Sequence, residues 1–147
     1  MEFQSSETVE LTLQLGASLL LVIICTMIHG TGLFWLARAL DLRKERLERH
    51  EFNFRALLLM SAMGLGLFLL HLLEILIFAA FYLLFSSVSL FEEALHFSAS
   101  TYATVGQGAE YFPDEWALMG SLEGLLGFLL IGWSTAFIVR NVTRLQN

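Results

Sequence analysis

Apolar residues gather into three long runs, residues 11–37, 54–85 and 116–139. A helix crossing a bilayer needs roughly 20 apolar residues, so each run is long enough to span. The segment between runs one and two, residues 38–55, holds no Gly or Pro. Leu40, Leu47 and Phe54 recur there at heptad spacing, and Glu45 stands four residues before Arg49, a pattern that predicts continued helix. Two readings of it stay open: an interfacial helix coupled to a gate, or a solvated linker that only sets topology. Between runs two and three, residues 90–102 are too short to span yet apolar enough to enter the bilayer, which predicts a re-entrant helix. Non-helical backbone at membrane depth is tolerated only where protein buries it or where it lines a water-filled path. The stretch Gly106-Gln107-Gly108 following that helix fits this exception, and Pro113 marks the return to the surface. Residues 1–10 read as an external tail and residues 140–147 as a short internal terminus.

Composition agrees with a membrane protein. The chain is 56% hydrophobic and 15% charged, outside the usual range of soluble domains. The runs use most of its 147 residues, leaving no room for a soluble catalytic or ligand-binding domain. An acidic amino terminus argues against a secretory signal, and the single cysteine, Cys25, excludes an intrachain disulfide. The net charge of -6 conceals a partition. Six of the eight Lys and Arg residues lie between runs one and two, and the other two, Arg140 and Arg144, follow run three. Cytoplasmic loops hold the excess of Lys and Arg, so the expected topology has the amino terminus outside and the carboxyl terminus inside. The outer connection then contains Glu92, Glu93, Glu110, Asp114 and Glu115 and no basic residue.

The segment Ala94-Leu95-His96-Phe97-Ser98-Ala99-Ser100-Thr101-Tyr102-Ala103-Thr104-Val105-Gly106-Gln107-Gly108 resembles the pore helix and filter of the two-helix potassium channel family, whose signature is T-V-G-Y-G. The resemblance runs over residues 54–139, as outer helix (54–85), pore helix (90–102), filter (104–108) and inner helix (116–139), and leaves residues 11–37 as an additional helix. It implies a prokaryotic, all-α membrane protein: three transmembrane helices and a re-entrant pore loop per subunit, four subunits around one axis. It also implies that the carbonyls of Thr104, Val105, Gly106 and Gln107 bind dehydrated K+. Aligning successive carbonyls needs alternating backbone handedness, which glycine adopts without steric cost. The carboxyl end of the pore helix would turn its negative dipole end towards the ions.

Two residues depart from the family pattern. Gln107 replaces the filter tyrosine, and Ala109 stands where an acidic residue usually follows the second glycine. The resemblance assigns filter support to His96, Phe97 and Ser100, with Gln107 hydrogen-bonding to His96 or Ser100 in place of an aromatic brace. Selective K+ conduction is the first reading, and non-selective Na+/K+ conduction the alternative. Glu110, Asp114 and Glu115 would form rings at the outer mouth that concentrate cations, or else merely solvate a surface loop.

Ionisable residues inside membrane helices are candidates for function. His71 and Glu74 share a face of the second helix at a spacing of three and, with His29, suggest a pH-sensing group, a metal site, or a hydrogen-bonded strut between helices. The strut is the plainer reading. Glu123 is expected to accept a hydrogen bond from the pore helix, from Ser100, and to brace the filter. Gly120 and Gly124 form a G-x-x-x-G pattern permitting close helix contact. Gly127 falls where the family places an inner-helix hinge, and Gly132 is a second candidate; packing alone would also explain both. No ladder of arginines lies within a helix, so no voltage sensor is expected. The overall expectation is a multi-pass plasma-membrane homotetramer that passes monovalent cations through lipid bilayers. It is not an enzyme, takes no cofactor and binds no nucleic acid. A scaffold or an intramembrane enzyme is the lesser alternative.

Overall fold

A computed structural model of the chain describes residues 2–44, 54–86, 88–106 and 116–146. These form four helices, α1 (Glu2–Lys44), α2 (Phe54–Phe85), α3 (Phe91–Tyr102) and α4 (Ala117–Gln146), with no strand among the described residues. Three stretches are long and apolar enough to cross a membrane: Glu10–Ala39, Leu57–Phe85 and Ala117–Thr143. The short α3 is the fourth element, packed against α2 and α4.

α1 is longer at both ends than its apolar run. Residues 2–10, expected as an external tail, are helical, and the helix continues through Arg38 and Arg43 to Lys44. The physical reason is simple: apolarity limits the part that lies in lipid, whereas helix continues wherever no Gly or Pro interrupts it. Residues 45–53, and with them Leu47 and the Glu45–Arg49 pair, lie outside the described residues.

Small residues let α1 and α2 approach closely. Leu70 of α2 lies over Gly32 of α1, where a Cβ would come within 2.7 Å of its methyl group, and Leu36 of α1 lies over Gly66 of α2 at 3.2 Å. This reciprocal seating replaces the hydrophobic drive that lipid-embedded helices lack.

The interior has two apolar layers with a polar layer between them. Around α3 lie Leu21, Cys25, Phe78, Tyr82, Ala94, Met119, Leu126 and Leu130. Towards the other end lie Leu33, Leu59, Met63, Leu67 and Phe137. About two to three turns of each long helix lie between the layers, and there His29, His71, Glu74 and Ser134 meet. At the α3 end, Trp116 donates its indole N–H to the Phe85 carbonyl at 3.0 Å, and its ring packs edge-on against Phe81. That contact joins the end of α2 to the start of α4, closing the mouth of the re-entrant segment.

Candidate functional site

α3 starts at Leu90, with Glu92 and Glu93 in its first turn, where negative charge complements the helix dipole. Its buried residues are Ala94, Ser98 and Tyr102, one stripe at a spacing of four that faces α2 and α4. The opposite end carries no basic residue, so its last carbonyls stay negative and point towards residues 103–106.

The chain leaving α3 turns back on those carbonyls. The Thr104 amide donates to Thr101 O at 2.9 Å, and the amides of Val105 and Gly106 both donate to Ser100 O, at 2.9 and 3.3 Å. Thr104 has φ 58 and Gly106 φ 73, the only positive values among the described residues. For glycine this is free, but for a β-branched residue it is an outlier costing about 1–2 kcal/mol. Strain of this kind collects at functional sites. Thr104, Val105 and Gly106 are all exposed. Gln107, Gly108, Glu110, Asp114 and Glu115 lie outside the described residues.

Behind α3, three glycines of α4 form its seat. A Cβ on Gly120 would meet the Phe97 ring at 3.2 Å, and one on Gly124 would meet the Thr101 carbonyl at 3.3 Å. Gly127 lies directly beneath the backbone of Tyr102. A side chain has no room at Gly127, so close packing against α3 by itself requires glycine there. Gly132 has open space around it. Phe97 packs rearward, edge-on to Tyr82 at 5.2 Å between ring centroids, while His96 is exposed.

Glu123 does brace α3, but through a different serine. Its carboxyl meets Ser98 Oγ at 2.5 Å and receives the Tyr82 hydroxyl at 2.6 Å. Ser100 was the expected donor; the four-residue stripe instead turns Ser98 inward and leaves Ser100 Oγ buried with no partner among the described residues. Tyr82 carried no sequence signal beyond being a polar-tipped aromatic in an apolar run.

The remaining ionisable residues come together as a ring. His29 Nδ1 lies 2.8 Å from Glu74 Oε1, and His29 Nε2 lies 3.2 Å from Ser134 Oγ. Ser134 Oγ lies 3.0 Å from His71 Nε2, and His71 Nδ1 lies 2.8 Å from the Tyr102 hydroxyl. Tyr102 closes the ring by donating to Glu74 Oε2. His29 and Glu74 are fully buried. Candidate ligand atoms on His29, His71 and Glu74 lie within 4.8 Å of one another, near enough to hold one metal ion. Sequence reasoning did not join Tyr102 or Ser134 to His29, His71 and Glu74, although both lie a whole number of turns from residues that face the interior.

A re-entrant helix seated on glycines, two left-handed residues at its carboxyl end, and three spanning helices are the parts of a pore. The model of the family described as "Ion channel" matches residues 70–144, just over half of the 147-residue chain. The chain belongs to the ion channel family. No curated protein and no solved structure matches it. The channel is thus a multi-pass membrane protein. The family match takes in His71, Glu74, α3, residues 103–106 and nearly all of α4, while α1 and His29 lie outside it.

Proposed function

We propose that this channel is one subunit of a homotetrameric, potassium-selective pore, with residues 104–108 as its filter and Thr104, Val105, Gly106 and Gln107 offering carbonyls to K+. The alternation of a left-handed Thr104 and a left-handed Gly106 about Val105, held by amides turned back onto Ser100, is the observation that carries the reading. Alternating handedness turns successive carbonyls to one side, and amides spent on α3 leave those carbonyls for an ion. Four such strands around an axis would complete the ion's shell. The apolar surface that α4 exposes at Leu125, Phe128 and Leu129 suits contact with lipid or neighbouring copies. The eight basic residues favour an amino terminus outside and a carboxyl terminus inside a plasma membrane.

Gln107 favours a second reading, a pore that passes Na+ and K+ alike. An amide at position 107 that hydrogen-bonded to Ser100 Oγ, which has no partner among the described residues, would give a polar tether where the family pattern has an aromatic brace. Purified protein in planar bilayers under opposed K+ and Na+ gradients separates the two. A reversal potential that follows K+ alone supports the first reading, and one indifferent to exchanging the two cations supports the second. Absence of current in any lipid rejects both.

A further inference from the structure

Conduction through residues 104–108 leaves the buried ring of His29, Ser134, His71, Tyr102 and Glu74 without a task, and its protons do not balance. With Glu74 ionised and both imidazoles neutral, the other four groups bring one mobile proton each to five contacts. Ser134 can meet both rings in two ways. Its oxygen stands 3.0 Å from His71 Nε2 and 3.2 Å from His29 Nε2, and its hydroxyl can donate to one while accepting from the other. Alternatively, each Nε2 carries its proton and donates to a lone pair of that oxygen. In this second arrangement each neutral ring presents a bare Nδ1. Those atoms lie 2.8 Å from Glu74 Oε1 and 3.3 Å from Glu74 Oε2, lone pairs against a carboxylate, which is repulsive unless a cation lies between.

We propose that Nδ1 of His29, Nδ1 of His71 and the carboxylate of Glu74 form a binding site for one first-row transition-metal dication of the zinc, cobalt or nickel kind. Two imidazoles and one carboxylate are a donor set for these ions, not for calcium, which takes six or more oxygens. Their ligand atoms lie within 4.8 Å of one another. The surroundings supply what metal-bound histidines need, a fixed acceptor for the second ring nitrogen. Ser134 provides it for both rings at once, and the Tyr102 hydroxyl holds the free edge of the carboxylate. His71 keeps 18% of its side chain exposed, which marks the side from which an ion enters. The ligands come from α1 and α2, so the ion would join the helix outside the family match to the pore domain. Through Tyr102, it would stand one hydrogen bond from the foot of residues 103–106.

The experiment uses the full chain in lipid nanodiscs, stripped with chelator and titrated with Co2+ and then Zn2+. One Co2+ per chain is expected, with the visible ligand-field bands of a low-coordinate nitrogen and oxygen site, bleached when Zn2+ displaces it. His29→Ala and His71→Ala should each weaken Zn2+ binding at least about tenfold. A His50→Ala/His96→Ala variant, which removes the other two of the four histidines, should leave binding unchanged. Removing a buried imidazole can unfold the chain, so the Co2+ spectrum of the unsubstituted protein is the primary readout. A spectrum without those bands overturns the proposal, as does binding lost in the His50/His96 variant. In either case the ring is a strut completed by an extra proton.

Discussion

The backbone of Tyr102 lies directly over Gly127, with its carbonyl carbon 2.9 Å and its Cα 3.0 Å from where a Cβ would stand. Backbone cannot swing aside as a side chain can. Gly127→Ala should therefore lift the carboxyl end of α3 off α4 and destabilise the fold by about 1–3 kcal/mol or more. Gly64→Ala is the control: nothing lies near that position, and alanine favours helix over glycine by about 1 kcal/mol. Thermal unfolding in detergent should show the first variant falling and the second holding or rising. Equal stabilities would mean that the seat is not as close as described.

Glu123 separates hydrogen bonding from charge. Ser98 Oγ has one proton but two acceptors in reach, Glu123 at 2.5 Å and the Ile75 carbonyl at 2.9 Å. A glutamine can donate to Ser98 and accept from Tyr82, so Glu123→Gln should unfold close to the parent. Glu123→Ala removes the acceptor that Ser98 and Tyr82 share and opens a cavity, a loss of about 2–5 kcal/mol. A glutamine variant as weak as the alanine variant would show that ionisation, and not the contacts, matters.

Tyr102 offers a narrower test. Tyr102→Phe keeps the ring and removes the hydroxyl that donates to Glu74 Oε2, leaving a buried carboxylate oxygen underserved at about 1–3 kcal/mol. Chemical denaturation would register this as a lower midpoint with an unchanged slope. A variant with parental stability would mean that the hydroxyl contributes nothing net.

Much of this fold was legible because bilayers impose length. Three apolar runs and one too short to span marked the helices, and basic residues marked their connections. Beyond the face that His71 and Glu74 mark, which apolar positions of α2 turn inward was not legible, since lipid and protein interior are equally apolar and leave no stripe to read. The partners of Glu123 depended on such a face. A period of four through Ala94, Ser98 and Tyr102 was the available signal, and it selects Ser98 over Ser100. Tyr82, in the otherwise apolar last three turns of α2, gave none. The helical residues 2–10 were read as a tail because they carry no apolar run.

Gln107→Tyr tests the selectivity reading in the assembled pore. An aromatic ring at this position should brace the filter and shift the reversal potential towards that of K+. Unchanged selectivity would remove Gln107 from the argument.

The outer acidic residues should act through long-range fields. Replacing Glu110, Asp114 and Glu115 by their amides is expected to lower single-channel conductance at low ionic strength. The difference should shrink near 1 M salt, where the screening length falls to about 3 Å. A deficit that persists at high salt would point to direct coordination instead.

The polar layer also bears on how the chain is made. His71 and Glu74 sit mid-way along α2, and a charged residue at the centre of a helix entering lipid alone costs about 2.5–3.5 kcal/mol on insertion scales. Tyr102 and Ser134 are translated only afterwards, but His29 emerges from the ribosome first. When α2 reaches the membrane, its acid can already find an imidazole on the preceding helix. α1 in this sense is a built-in escort, and a chain begun at α2 would have to enter the bilayer with only His71 of the same helix beside Glu74.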